Sequence, residues 1–131
     1  MKISKRLIFL FVLLLPGIVL FAQSSISEPT QEPIVPYRLF RTTNIWTFIQ
    51  LNTTTGQMWQ VYFDTQGSNR GAVVLNSQNL AREKDQISGR FTLYPTSNMY
   101  NFILLDQIDG RTWQVQWSNE SKNRFVLPIS E

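Results

Sequence analysis

The feature that most constrains the fold of this chain is an internal duplication. When the sequence is shifted by 54 residues, residues 37–75 align with residues 91–129 without a gap, and 12 of the 39 aligned positions are identical. The identities include Gly56/Gly110, Trp59/Trp113 and Gln60/Gln114. The sequence therefore predicts a domain built from two copies of one unit.

The residue pattern within each copy is typical of β-strands. In the second copy, Trp113, Val115 and Trp117 alternate with polar residues, and residues 58–63 of the first copy follow a similar order. Alternation with a period of two indicates a half-buried strand. This pattern places Trp59 and Trp113 in the core. Residues 45–51 and 99–105 are mostly apolar on both faces, which is typical of a central strand.

Turn signals separate these strands. The loops 52–56 and 106–110 begin with Asn or Asp and end with Gly, which fits a hairpin loop built on a type I turn with the glycine in a left-handed conformation. The remaining strands of the two copies are predicted at 37–43, 71–75, 91–96 and 125–129.

The fold class that follows is all-β, with two tandem antiparallel meander repeats of three or four strands each. A single small sheet leaves one apolar face in water, so we expect the two to pack as a sandwich or flattened barrel with pseudo-two-fold symmetry. The repeats span 37–75 and 90–129 of a single domain at 37–131. The connection 76–89 is polar, and a short helix capped by Asn76 or Ser77 is predicted there, with Gly89 ending the connection.

The N-terminus carries an export signal. Lys2, Lys5 and Arg6 precede an apolar run at 7–21 that is shorter than the roughly 20 residues of a membrane-spanning helix, and small residues follow it. We interpret residues 1–22 as a signal peptide cleaved after Ala22 or Ser24, and residues 23–36 as a flexible spacer. The alternative is an uncleaved membrane anchor. The protein is expected to be exported and either periplasmic or secreted, with no membrane span after cleavage.

Charge and composition exclude several function classes. Without the three leader cations, nine cations face nine anions, so the charge gives no reason to expect binding to nucleic acid. The chain has no His, so it lacks the commonest general base and the commonest metal ligand. It has no Cys and therefore no thiolate. No phosphate-binding or dinucleotide-binding motif is present. Neither a cofactor nor a metal is expected.

The second copy also carries a recognisable motif. The segment LDQIDGRTWQVQW at 105–117 resembles a core that recurs in small secreted proteins of the Bacteroidetes type, written L-D-x-x-x-G-[RK]-x-W-Q-V-Q. The resemblance covers nearly all of the mature domain. It implies a bacterial secreted protein and brings no known activity.

Six residues are candidates for a ligand site. The aromatic residues Trp46 and Tyr100 lie beside Asn44 and Asn98 at strand starts, where a ring and polar groups converge at one end of the sheet. Arg70 and Arg124 repeat in register and are suited to bidentate contacts with an anionic sugar or carboxylate. The alternative for each arginine is a side chain whose stem covers apolar surface. We expect Gln60 and Gln114 to form a solvated or interfacial ladder.

Carboxylates offer the remaining chemistry. Asp106 and Asp109 beside Gly110 are candidates for holding a calcium ion or for acid–base chemistry. Asn52 and Thr55 take their places in the first copy, so turn formation is the preferred interpretation. Asp64 and Glu120, together with these two aspartates, are the candidate catalytic carboxylates of a carboxylate-dependent hydrolase.

Taken together, these features predict an exported, non-catalytic binding or accessory module of a bacterial envelope. Its partner would be a protein or a polysaccharide. The alternatives are a glycan or peptidoglycan hydrolase and a structural envelope subunit. In solution we expect a monomer or a dimer paired edge to edge through an outer strand.

Overall fold

The computed structural model describes residues 34–81 and 85–129, and all of them belong to one compact unit. The eight strands are β1 (Tyr37–Arg41), β2 (Thr47–Asn52), β3 (Met58–Tyr62), β4 (Gly71–Asn76), β5 (Phe91–Pro95), β6 (Asn101–Asp106), β7 (Thr112–Gln116) and β8 (Phe125–Pro128). A single turn of 3-10 helix at Ser121–Asn123 precedes β8. The all-β fold class predicted from the repeat is confirmed.

The strands form two separate antiparallel sheets in sequence order, β1-β2-β3-β4 and β5-β6-β7-β8. Each repeat is therefore one complete meander, as predicted. The buried apolar side chains of both sheets belong to a single core cluster. The two sheets do not join into one closed sheet, so the sandwich replaces the flattened barrel.

The hairpin loops have the predicted chemistry in both copies. Asn52 Oδ1 accepts hydrogen bonds from the backbone N–H groups of Thr54 and Thr55, at 3.0 and 3.3 Å. Asp106 Oδ1 accepts the equivalent bonds from residues 108 and 109. Gly56 and Gly110 close the loops at φ of 79° and 75°, a region that residues with a Cβ rarely adopt.

The two sheets bury opposite faces of the repeated unit. In the first sheet Ile49 and Leu51 are fully buried, whereas in the second sheet Phe102 and Leu104 are buried and the residues equivalent to Ile49 and Leu51 are only partly buried. A two-fold axis would bring equivalent faces together. The expected pseudo-two-fold relation is therefore replaced by a head-to-tail relation, in which the front of one sheet packs on the back of the next.

This difference corrects one core assignment. Trp113 and Val115 are in the core as predicted, with 7% and 0% of their surface exposed. Trp59 is not, because its neighbours Met58 and Gln60 point into the core of the first sheet and leave the tryptophan on the other face. We call the face of each sheet that contacts the other sheet its inner face, and the opposite face its outer face.

The connection between the repeats differs from the predicted helix. Asn76 is the last residue of β4 and its amide donates to the carbonyl oxygens of Gly56 and Gln78, at 2.9 and 3.0 Å. No helix begins at Asn76 or Ser77 within residues 76–81, and residues 82–84 lie outside the described part of the chain. Gly89 ends the connection as predicted, with φ of 85°.

A buried ion pair fastens the connection to the second sheet. The guanidinium of Arg90 donates from Nε and Nη2 to the two carboxylate oxygens of Asp106, at 3.0 and 2.8 Å, and both side chains are fully buried. Arg111 donates to the same carboxylate and to the carbonyl oxygen of Leu80, both at 2.8 Å. Asp106, which the sequence assigns to a turn, thus also holds the side chains of Arg90 and Arg111.

The predicted signal peptide and most of the spacer, residues 1–33, lie outside the described residues. Within the part that is described, no helix is long and apolar enough to cross a membrane.

The identical pair Leu39 and Leu93 tests the head-to-tail relation. Leu93 is 3% exposed and Leu39 is 61% exposed. We expect L93A to lower the free energy of unfolding by about 2–5 kcal/mol, because a buried side chain is removed. L39A is expected to change it by less than about 0.5 kcal/mol. Urea unfolding checks this at a concentration where light scattering gives the mass of one chain, and equal losses would contradict the burial of opposite faces.

The ion pair predicts an acid-sensitive fold. Burial opposes ionisation of Asp106, but the hydrogen bonds from Arg90 and Arg111 outweigh it and hold the pKa of this carboxyl well below its usual range. The stability that the ionised group contributes is complete above the unfolded-state pKa of about 3.9 and is lost as the pH falls through the folded-state pKa.

The matching variant is D106N, which preserves the turn because Asn52 occupies the same position in the first copy. It leaves the Arg90 guanidinium buried without its carboxylate, which is expected to cost about 3–5 kcal/mol at pH 7 and to flatten the loss of stability as the pH falls below about 4. Urea midpoints at several pH values measure both effects. The control is D109N, whose side chain is 23% exposed and which leaves the Arg90–Asp106 pair intact. An unchanged pH profile in D106N would refute the assignment.

Candidate functional site

The turns before β2 and β6 place one aromatic ring at the same end of each sheet. In the first copy, Asn44 Oδ1 accepts a hydrogen bond from the backbone N–H of Trp46 at 2.8 Å, and Thr42 Oγ1 donates to the carbonyl oxygen of Asn44 at 3.0 Å. Thr96, Asn98 and Tyr100 repeat both bonds in the second copy. The asparagines are repeated because the turn uses their side-chain oxygens, which explains their position without a ligand.

A cavity of about 400 Å³ opens at this end of the first sheet, where the second sheet also reaches it. We call it the first cavity, and its lining residues are Asn44, Trp46, Thr47, Gln60, Tyr62, Phe63, Asp64, Asn69, Val73, Asn119 and Arg124. Nine of these come from the first repeat, and Asn119 and Arg124 come from the second. The site therefore exists only where the two repeats meet.

One wall of the first cavity is aromatic. The rings of Trp46 and Phe63 meet edge to face, with centroids 5.5 Å apart and planes at 75°. The two residues remain 39% and 41% exposed. Such a pair is rigid and apolar, and it leaves ring surface available to a ligand.

Polar groups form the rest of the wall, and Asp64 supplies its negative charge. This carboxylate accepts hydrogen bonds from the backbone N–H of Gly67, from the backbone N–H of Asn69 at 2.9 Å and from the Ser68 hydroxyl at 3.1 Å. Desolvation opposes ionisation, but the backbone hydrogen bonds outweigh it and hold the pKa of Asp64 below its ordinary value. At neutral pH this side chain is an acceptor and not an acid.

Arg124 supplies the positive charge and also shapes the loop beside it. Its Nε donates to the carbonyl oxygen of Ser118 at 2.7 Å, and its Nη2 donates to that of Asn119 at 3.0 Å. The arginine therefore clamps its own loop, a role that sequence analysis did not consider. Arg70, its equivalent in the first copy, is exposed, and its guanidinium lies over Gly67.

A second cavity of about 420 Å³ lies at the same end of the second sheet. Its lining residues are Tyr100, Gln116, Trp117, Ser118, Asn119, Glu120 and Asn123. Five of them are the repeat equivalents of residues in the first cavity: Tyr100, Gln116, Trp117, Ser118 and Asn123 stand for Trp46, Tyr62, Phe63, Asp64 and Asn69. The Tyr100 and Trp117 rings, 5.2 Å apart, correspond to the Trp46–Phe63 pair. The second cavity is thus lined by the equivalents of residues that the first repeat contributes to the first cavity, and it lacks the part that comes from an adjoining sheet.

The structure distributes the six predicted site residues unevenly. Asn44, Trp46 and Arg124 line the first cavity and Tyr100 lines the second, whereas Asn98 and Arg70 line neither. Sequence analysis missed the aromatic residue Phe63 and the polar residues Asn69 and Asn119. Asn69 carried a usable signal, because it is repeated as Asn123.

The Asp106 and Asp109 carboxylates lie at the other end of the sandwich, since Tyr100 precedes β6 and Asp106 ends it. Both are paired with arginine side chains at 3.6 Å or less. They therefore take no part in the cavities. This places two of the four carboxylates considered for a hydrolase away from the candidate site.

No known protein family matches the chain, and no curated protein or solved structure shows significant similarity to it. The geometry of the two cavities is therefore the basis for proposing a function.

Arg124 and Arg70 form a matched pair for testing the loop clamp. A lysine cannot donate two hydrogen bonds from a rigid fork, so R124K is expected to release loop 118–123 and to lower the free energy of unfolding by about 1–2 kcal/mol. The control R70K is expected to change it by less than about 0.5 kcal/mol. Hydrogen exchange over residues 118–123 and urea unfolding measure the two effects. Equal behaviour of the two variants would show that the clamp contributes nothing.

Proposed function

We propose that this protein is an exported, non-catalytic binding module of a bacterial envelope and that its ligand is a polysaccharide segment held in the first cavity. The observation that carries the proposal is the exposed Trp46–Phe63 pair beside a rim of amides and two charges of opposite sign. An aromatic face matches the C–H face of a pyranose ring. Asn and Asp side chains supply donors and acceptors for its hydroxyl groups.

The shape of the site favours a saccharide over a protein partner. A cavity of about 400 Å³ falls in the range that small-molecule sites occupy, and it is concave, whereas protein partners need a broad contact surface. Its two charges, Asp64 and Arg124, have opposite sign, so the wall carries little net charge. This suits a neutral sugar better than a polyanion.

The hydrolase alternative finds less support in the same geometry. Hydrolysis by a carboxylate pair needs two carboxyl groups about 5–10 Å apart, one of them protonated to act as the acid. Among the described residues that line the first cavity, Asp64 is the one carboxylate, and its hydrogen bonds keep it ionised. Binding without turnover is therefore the function we propose.

Trp46 provides the direct test. Titration of the protein with a panel of bacterial, plant and host glycans is expected to quench or shift the tryptophan emission saturably with one glycan class. W46A is expected to weaken that binding at least tenfold by calorimetry, because the stacking surface is lost. The matched control is I45A, which removes an exposed neighbour that does not line the cavity.

Two outcomes would overturn this proposal. If no glycan binds by calorimetry, the ligand is not a saccharide and the search turns to protein partners. If chromatography detects glycan cleavage that D64N abolishes, the protein is a hydrolase.

A further inference from the structure

Both outer faces of the sandwich carry large exposed apolar side chains. The first sheet exposes Tyr37, Leu39 and Val74 at 54%, 61% and 55%, and the second exposes Tyr94 and Leu127 at 52% and 54%. An antiparallel sheet that faces water on one side normally alternates apolar inside with polar outside. Here β2 and β6 carry apolar side chains on both faces, and among the described residues each sheet packs against one other sheet.

The outer face of the first sheet repeats a surface that is already buried elsewhere in the molecule. Strand register aligns Leu39, Gln50, Trp59 and Val74 in one row across that face. The equivalent row of the second sheet is Leu93, Leu104, Trp113 and Pro128, which lies on its inner face. Two of the four positions are identical. The row of side chains that the first sheet exposes to solvent is therefore equivalent to the row that the second sheet packs against the first.

The converse holds for the outer face of the second sheet. Its row of Tyr94, Ile103, Gln114 and Leu127 corresponds to Phe40, Ile49, Gln60 and Val73 on the inner face of the first sheet. Ile49 and Gln60 are buried, and both are identical in the two rows. Each outer face is thus equivalent, through the repeat, to one side of the internal interface. The two outer faces of one molecule together correspond to both sides.

The geometry points to a second copy of this chain as the occupant of these faces. In this assembly the outer face of the first sheet in one copy packs against the outer face of the second sheet in the next. The contact continues the head-to-tail relation that already joins the two sheets within one chain. Such an interface is heterologous, and it builds a ring when its rotation closes and a filament when it does not.

A polar contact supports the same register. At the internal interface, Gln60 Oε1 accepts a hydrogen bond from the backbone N–H of Ser118 at 3.2 Å. The repeat equivalents are Gln114 and Asp64, which lie at the two free faces. The Gln114 amide nitrogen donates to Asn101 Oδ1 at 2.6 Å, and its oxygen is the acceptor for Asp64 N–H of the second copy.

The assembly also completes the second cavity. The first cavity receives Asn119 and Arg124 from the adjoining sheet. Their equivalents are Thr65 and Arg70, which line neither cavity within one chain. A second copy brings these two residues to the second cavity, beside Tyr100 and Trp117. The assembly does not depend on the proposed saccharide, but it supplies a second site of the same composition.

Two substitutions and their mixture test this interface. L39E places a charge on the outer face of the first sheet, and L127E does so on the outer face of the second. Both positions are exposed within one chain, at 61% and 54%, so the fold tolerates the change. Multi-angle light scattering after size exclusion is expected to give a multiple of the chain mass for the protein purified after export, and the mass of a single chain for each variant.

The equimolar mixture of the two variants is expected to give twice the chain mass, because each variant retains the face that the other has lost. The control I108E alters an exposed apolar residue in a turn and is expected to leave the assembly unchanged.

Three results would overturn the proposal. If the protein is a single chain at high concentration, another segment or partner covers the faces. If L127E alone remains associated, the contact joins like faces. If both variants keep the full mass, the copies pair through their edge strands instead.

Discussion

The structure depends on which face of each antiparallel sheet is buried, because both faces of each sheet carry apolar side chains. Each repeat forms such a sheet, because residues 47–51 and 101–105 carry apolar side chains toward both sides. The two copies bury opposite faces, since the first buries Ile49 and Leu51 and the second buries Phe102 and Leu104. Head-to-tail packing follows from this choice, and it leaves the complementary faces uncovered.

The two ends of the sandwich are built from the same turns but have diverged in charge. At the hairpin end, Asn52 shapes its turn without binding a charged residue, whereas Asp106 shapes its turn and also holds Arg90 and Arg111. A buried arginine is stable only with such a partner, because removing two charges from water is costly unless they pair well. The extra pair occurs where the connection enters the second sheet, and the equivalent residue before the first sheet is Pro36, which has no charge to pair.

The opposite end carries the cavities, and its composition follows from the repeat. Each copy contributes an aromatic pair and a polar loop, Trp46–Phe63 with Asp64 in one and Tyr100–Trp117 with Ser118 in the other. The first cavity is closed by residues of the second sheet, whereas no further sheet adjoins the second cavity within residues 34–81 and 85–129. The proposed binding at the first cavity and the proposed association through the outer faces therefore both rest on one repeated interface.

The sequence by itself determined the duplication, the eight strands to within two residues at their ends, and the turns at Asn52 and Asp106. These features depend on local periodicity and on side chains that bond to their own backbone. Only the tertiary structure decided which face of each sheet is buried, and hence that Trp113 is in the core and Trp59 is not. The apolar strand residues recur in both copies, and the copies differ in polarity at single positions, Gln50 against Leu104 and Met58 against Thr112. Which face is buried became clear only from the packing of the two sheets.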